Sequence, residues 1–287
     1  MRLTPIFDTS SLINLSREDD LDAAVKRLKP LIPSRGCPLS FVTTLELFRG
    51  LSNGDPEKVA ETLKPLLLAA RISRGVVLRV PIRFASWELF KVAEVLRHRP
   101  KLLVDWLERI QTPGFVTKFT SGEVGMDFER IKRVFEKIEQ EEHLGTELML
   151  DKWYPGWREE RRNGSALPED LRERVKRDMQ FDALKDMMPE LFLTQLQIQC
   201  TAANIGRVQI HCDAFFTYHA SRLRACVLGN YIFEKNPNDF HDWLQLLYLT
   251  RPSVCLVTDD RPSLDRTRHS SQRPRIMSLK EFLAGSA

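Results

Sequence analysis

Along the chain, apolar residues first gather in a short run, Leu3–Phe7, that stops at Asp8. A run of that length bounded by a polar residue predicts a buried strand. Leu21–Leu31 then places its apolar residues at helical spacing. Cys37–Val42 predicts a second strand, Thr43–Leu51 the start of a helix, Val59–Ile72 a further amphipathic helix, and Val76–Ile82 another β-rich stretch. Strands alternating with helices favour a parallel sheet with helices on its faces. From about Trp87 to Val227 the pattern turns almost wholly helical. Asp127–Glu142 and Pro168–Lys185 read as charged amphipathic stretches, broken by loop signals at Thr112–Gly114, Tyr154–Gly156 and Asn163–Gly164. The alternation returns with a helix over Pro237–Leu249 and a strand over Val254–Thr258 that runs into Asp259 and Asp260. A last strand over Arg275–Leu279 and a short helix from Lys280 follow. The expectation is a discontinuous α/β domain, residues 1–84 and 228–287, interrupted by a mostly α-helical insertion, residues 85–227.

Composition narrows the class. A chain of 287 residues, 43% hydrophobic and 29% charged, suits one large or two smaller globular domains and not a disordered segment. The net charge of +4, from 43 basic and 39 acidic residues, is too small to hold a polyanion by itself. Five cysteines, at 37, 200, 212, 226 and 255, include no C-x-x-C pair. That argues against a zinc ribbon or a disulfide framework and suits a reducing compartment. The first residues lack the apolar core of a signal peptide, and no run of about 18 apolar residues occurs. A cytoplasmic protein without membrane contact is expected. The sequence contains no P-loop, no Gly-x-Gly-x-x-Gly, no His-Glu-x-x-His and no Gly-x-Ser-x-Gly.

Carboxylates recur where a sheet's ligand edge should lie. Asp8 ends the first strand, Asp259 and Asp260 end the last long one, Glu46 follows the second, and Asp242 lies near the start of the helix before Val254–Thr258. Open α/β sheets bind ligands outside the carboxyl ends of their strands. Converging carboxylates repel one another, and a hard divalent cation such as Mg²⁺ or Mn²⁺ relieves that repulsion. Each acid also has a structural reading. Asp8 could cap a helix beginning near Ser10. Thr43-Thr44-Leu45-Glu46 fits a capping box. Asp239 suits the first turn of a helix capped by Asn236 and opened by Pro237. Asp242 could face solvent, and one of Asp259 and Asp260 could simply turn the chain.

The segments Ile6-Phe7-Asp8-Thr9-Ser10-Ser11-Leu12, Val42-Thr43-Thr44-Leu45-Glu46-Leu47, Asp242-Trp243-Leu244 and Leu256-Val257-Thr258-Asp259-Asp260 resemble the four acidic motifs of PIN-domain nucleases. Asp242 lies 16 residues before Thr258 (258 − 242), room for one helix, a turn and a strand. The resemblance implies a three-layer α/β/α domain with a central parallel sheet. It implies a metal-dependent nuclease, foremost an endoribonuclease, with Asp8, Glu46, Asp242 and Asp260 holding Mg²⁺ or Mn²⁺ and Asp239 and Asp259 assisting. Ser10 and Thr258 would support the ligands. Some family members are toxins held by an antitoxin, so a protein regulator and self-association are the further partners it suggests. A structure-specific DNA nuclease and a PIN-like scaffold that binds RNA or protein without cutting are the rival readings.

Arg261, Arg266, Arg268, His269, Arg273 and Arg275 form a basic run after the last acid. Arg261, Arg266 and Arg268 are candidates for positioning phosphates, against the alternative of a solvated loop. Arg158, Arg161, Arg162, Arg172, Arg174, Lys176 and Arg177 are interleaved with acids, as on a salt-bridged helix surface. Trp153-Tyr154-Pro155-Gly156-Trp157 reads as a packed turn before a base-stacking platform. His211, Cys212 and Asp213 read as structural, because no second cluster completes a zinc site. A haloacid-dehalogenase-like phosphatase would need an acid two residues after Asp8, where Ser10 stands.

Overall fold

A computed structural model describes residues 3–18, 20–51, 56–92, 101–112, 114–121, 181–228 and 239–285, with 123, 125, 133, 136, 173, 231 and 236 singly. The chain opens with β1 (Thr4–Phe7), α1 (Thr9–Glu18), α2 (Leu21–Leu28), α3 (Phe41–Leu51) and α4 (Pro56–Ser73). It continues with α5 (Pro81–Phe90), α6 (Lys101–Ile110) and α7 (Phe115–Thr120). Next among the described residues come α8 (Phe181–Gln195), α9 (Ala202–His211), α10 (Asp213–Val227) and α11 (Asp239–Gln245), the last running into a 3₁₀ turn at Leu246–Thr250. β2 (Val254–Val257), α12 (Arg261–Arg266), β3 (Ile276–Met277) and α13 (Leu279–Leu283) complete it.

The three strands form one parallel sheet in the order β1-β2-β3, with Phe7 opposite Val257 and Val257 opposite Met277. Alternate residues of a strand point to opposite faces, and a strand covered on both faces reads as a continuous apolar run. Ile6, Val254, Leu256 and Ile276 enter one core, filled by α5, α8, α9, α10 and the 3₁₀ turn. Phe7, Cys255, Val257 and Met277 enter the other, filled by α1 to α4, α6 and α13. Helices therefore cover both faces of the sheet, and the fold is α/β. Phe7 packs edge-on against Phe282 with ring centroids 5.3 Å apart, which seats α13 on the second face.

Several expected elements are shorter or differently built. The strands expected at Cys37–Val42 and Val76–Ile82 reduce to a single parallel bridge between Leu39 and Val77. Capping chemistry overrides β propensity there. The Ser40 hydroxyl accepts from the Thr43 N–H at 2.8 Å and its carbonyl from the Thr44 N–H at 3.1 Å, so Phe41 and Val42 already belong to α3. Pro81 opens α5, where its fixed φ and missing N–H cost nothing. The last strand narrows to Ile276–Met277, because Ser278 and Glu281 form a capping box that starts α13 early.

The stretch 85–227 is not packed apart from its flanks among the described residues. α8 to α10 line one face of the sheet, and Trp106 and Leu107 of α6 belong to the core on the other. The join to the C-terminal segment is polar. Asp213 accepts from the Ser270 hydroxyl at 2.7 Å and from the Ser271 N–H at 2.5 Å, and it pairs with Lys185. Gln272 donates to the carbonyls of His211 at 2.8 Å and Leu249 at 3.1 Å. The Asp127–Glu142 stretch falls almost wholly outside the described residues, and so does most of Pro168–Lys185, whose last five residues open α8. Pro237, the Trp153–Trp157 segment and the basic residues from Arg158 to Arg177 named above lie outside them altogether. Cys37, Cys212, Cys226 and Cys255 are buried and Cys200 is exposed, all as free thiols. Among the described residues no helix is long and apolar enough to cross a membrane.

Candidate active site

The parallel register sets the carboxyl ends of the strands side by side. The Asp8 N–H donates to the Val257 carbonyl at 3.0 Å, and the Thr258 N–H to the Met277 carbonyl at 2.9 Å. Asp8 and Thr258 are thereby neighbours just past the sheet. One Asp8 oxygen caps α1 by accepting from the Ser11 N–H at 2.7 Å. The other accepts from the hydroxyls of Ser10 at 2.8 Å and Thr258 at 2.5 Å. The capping role and the place at the sheet edge thus coincide in one residue. Asp8 is only 3% exposed. Burial pushes its carboxyl up to about 6, against the pull of the Thr258, Ser11 and Ser10 hydrogen bonds.

The same hydroxyls reach onward. Ser10 Oγ accepts from the Asp259 N–H and Thr258 Oγ1 from the Asp260 N–H, each at 3.1 Å. The two adjacent acids then divide. Asp259 accepts from Asn14 Nδ2 at 2.8 Å and from the Leu279 N–H at 2.9 Å, so it ties the end of β2 to α1 and α13. Asp260 caps α12 through one oxygen, accepting from the Ser263 N–H at 2.7 Å, and its other oxygen is uncommitted among the described residues.

Glu46 reaches this edge because α3 is anchored to the end of β1. The Thr43 hydroxyl lies 3.1 Å from the Phe7 carbonyl and 3.2 Å from Gln245 Oε1, which joins α3 to α11 as well. Glu46 accepts from the Thr9 hydroxyl through Oε2 and from His241 Nδ1 at 3.0 Å through Oε1. The capping box that was the rival reading of Glu46 is not formed, since Ser40 caps α3. α11 contributes three residues in a row of four: Asp239, His241 and Asp242. Asp239 forms an ion pair with Arg266. Asp242 is half-buried and makes no hydrogen bond or ion pair with any described residue. Burial raises its carboxyl well above the ordinary range, and the charges of Glu46, Asp260, Asp8 and Asp239 raise it further. Five of the six predicted acids therefore share one electrostatic neighbourhood, and Asp259 is the brace beside it.

The basic run separates into different roles. Arg266 donates to the Tyr218 hydroxyl at 3.0 Å and lies over the rings of Tyr218 and Tyr231, each 5.1 Å from its guanidinium. Burial opposes its charge, but Tyr218 and Asp239 hold it firmly cationic. It therefore neutralises Asp239 and is not a free phosphate contact. Arg273 and Arg275 brace backbone: Arg273 donates to the Ile276 carbonyl, and Arg275 to the carbonyls of Leu249, Arg251 and Val254 at 2.8–3.0 Å. Arg261 and Arg268 are exposed. The structural reading of His211, Cys212 and Asp213 agrees with the Asp213 clasp described above. Burial alone would raise the Asp213 carboxyl, but Lys185, Ser270 and Ser271 hold it below its ordinary value.

Thr9, Asn14, Tyr218 and His241 belong to the site without having been singled out in the sequence. His241 and Glu46 are 195 positions apart, so no local spacing could pair them. Among the described residues no three His, Cys, Asp or Glu side chains stand close enough, as oriented, to grip one ion together. Comparison with known proteins adds no relative: no family model, no curated protein and no solved structure matches the chain.

Proposed function

We propose that the chain is a metal-dependent phosphodiesterase of the PIN-domain type that cuts RNA internally. The carrying observation is Asp242, a half-buried carboxylate without a polar partner among the described residues, crowded by Glu46, Asp260, Asp8 and Asp239. Such crowding destabilises the fold at neutral pH, and uncompensated charge of this kind is characteristic of functional sites. The order of the acids along the chain and the helices on both faces of a parallel sheet lend the reading further support.

The donor set is carboxylate oxygen alone, which suits Mg²⁺ or Mn²⁺ and not a soft metal. Its open spacing is compatible with Mg²⁺, which is commonly held through one or two carboxylates and otherwise stays hydrated. Asp8, Glu46, Asp242 and Asp260 would hold the ion, with Asp239 and Asp259 behind them. When bound, it supplies an activated water and neutralises charge on the phosphodiester. The chain's own residues fix the acids. Ser10 and Thr258 hold one oxygen of Asp8, while Thr9 and the Nδ1 proton of His241 hold Glu46. Arg266 takes up the charge of Asp239, leaving Asp242 as the least compensated acid.

The test is cleavage of labelled single-stranded RNA, beside matched DNA, with Mn²⁺, Mg²⁺ or EDTA. The expected result is metal-dependent cutting of RNA that is lost in Asp8→Asn and Asp242→Asn. Full activity in both variants overturns the assignment, and preferential cutting of DNA transfers it to a structure-specific DNA nuclease. A non-catalytic PIN-like scaffold has one observation in its favour, the absence of three close ligands among the described residues. RNA binding without cutting under any metal condition would establish it.

A further inference from the structure

Beside the acidic cluster lies a cleft of about 430 Å³ between α1, α3 and α4. It shares Thr9 and Glu46 with the cluster, so the two are continuous. From there it is lined along α1 by Ile13, Ser16 and Arg17, and along α4 by Thr62, Lys64 and Pro65. Arg17 stands two helical turns beyond Thr9, about 12 Å along the axis at ~1.5 Å per residue. Arg17 is exposed and Lys64 half-buried, and neither makes an ion pair with a described residue. Glu61 also borders the cleft and is exposed.

These features differ from those of a salt-bridged surface. Two cations without an ion-pair partner among the described residues flank a cleft that reaches the acidic cluster at Glu46. The apolar side chains of Ile13, Leu47 and Pro65 line the space between. A polymer with a charge at every step and flat apolar groups between the charges matches that lining. The volume is that of a small-molecule pocket, room for unpaired chain and too small to enclose a duplex.

We propose that this cleft carries unpaired RNA next to the scissile bond, with Arg17 and Lys64 contacting its phosphates. The proposal rests on reading the acidic cluster as a nuclease centre. It assigns the phosphate contacts to α1 and α4 and not to the basic run after β2.

The test is fluorescence anisotropy of a labelled oligouridylate with the full chain in EDTA, across a salt series, so that binding is read without cutting. Arg17→Gln/Lys64→Gln should weaken binding by about tenfold or more at moderate salt. It should also flatten the plot of log K against log salt by about 1.4, two contacts at ~0.7 each. The surface pair Arg261→Gln/Arg268→Gln should change neither, and unchanged melting of both double variants excludes misfolding. A wild-type protein that cuts RNA, with affinity and salt slope intact in Arg17→Gln/Lys64→Gln, overturns the cleft and leaves the nuclease standing. Loss of slope in Arg261→Gln/Arg268→Gln alone has the same meaning, as does equal dependence on Arg17 and Lys64 for a duplex probe. No RNA binding by the wild type overturns both readings.

Discussion

Asp8→Asn should make the fold more stable at neutral pH while abolishing activity. The Asp8 carboxyl is raised from 3.8 to about 6 by burial. At about 1.4 kcal/mol per pH unit, holding it ionised costs the fold about 3 kcal/mol. The sign follows from the direction of the shift. Below 3.8 the group is protonated in folded and unfolded chains alike, and the cost is absent. Stability is lost as pH rises from there to about 6, and above it the full cost persists. Asparagine carries no charge to bury. Its carbonyl can take the Ser11 N–H, and its amide would face the Ser10 and Thr258 hydroxyls. Each hydroxyl already accepts a backbone N–H and has one lone pair left to accept the amide. Turning those hydroxyls offsets part of the gain, leaving about 1–3 kcal/mol, or a rise in melting temperature on the order of 5 °C. The assay is urea unfolding of both proteins in EDTA at about pH 7.5 and about pH 4.5. Acids outside the cluster titrate equally in both proteins, and Asp242, which the Asp8 charge helps to raise, is relieved in the variant and adds to its gain at the higher pH. The variant should be the more stable at the higher pH, and the gap should shrink at the lower. Saturating Mn²⁺ should then stabilise the wild type, by about 2.7 kcal/mol at a hundredfold excess over Kd, and not the variant. A variant less stable than wild type at both pH values, by the same amount, would mean that the buried Asp8 charge does not strain the fold.

Three further outcomes are expected. Arg266→Gln removes the ion pair of Asp239 beside Tyr218 and Tyr231, and should cost about 3–5 kcal/mol in urea unfolding. Adding Asp239→Asn should recover part of that, whereas strictly additive losses would mean the pair is not coupled. Gly50→Ala would bring a Cβ to 2.6 Å from Thr62 Cγ2, and should cost about 1–3 kcal/mol by forcing α3 from α4. Thr62→Ala should relieve most of that loss, and failure to do so would locate the strain elsewhere. Asp213→Asn weakens the clasp to Lys185, Ser270 and Ser271 and should cost about 2 kcal/mol at neutral pH. Because this carboxyl is held low, its stabilisation is present above the ordinary carboxylate range and fades as pH falls through the folded value. A loss that stays constant down to acid pH would contradict the assigned cause.

The elements legible in the chain are those whose signal is local. The apolar runs before Asp8 and Asp259 are strands because a strand buried on both faces has no polar position, and that pattern is visible without knowing its neighbours. The acids at the strand ends were legible for the same reason, since the end of an apolar run marks the end of a strand. Capping decided the opposite cases locally but against β propensity: Ser40 and Pro81 turned two expected strands into helix starts. The contacts those acids make come from long-range packing. Asp239 and Arg266 pair across 27 positions, Glu46 and His241 across 195, and Asp8 and Thr258 across 250. Such contacts depend on which strands lie in register and which helices cover the sheet. The same is true of residues 181–227, whose helical pattern does not reveal that their apolar faces cover the sheet. An amphipathic helix specifies that one face must be buried, and the partner surface is chosen by the packing of the whole chain.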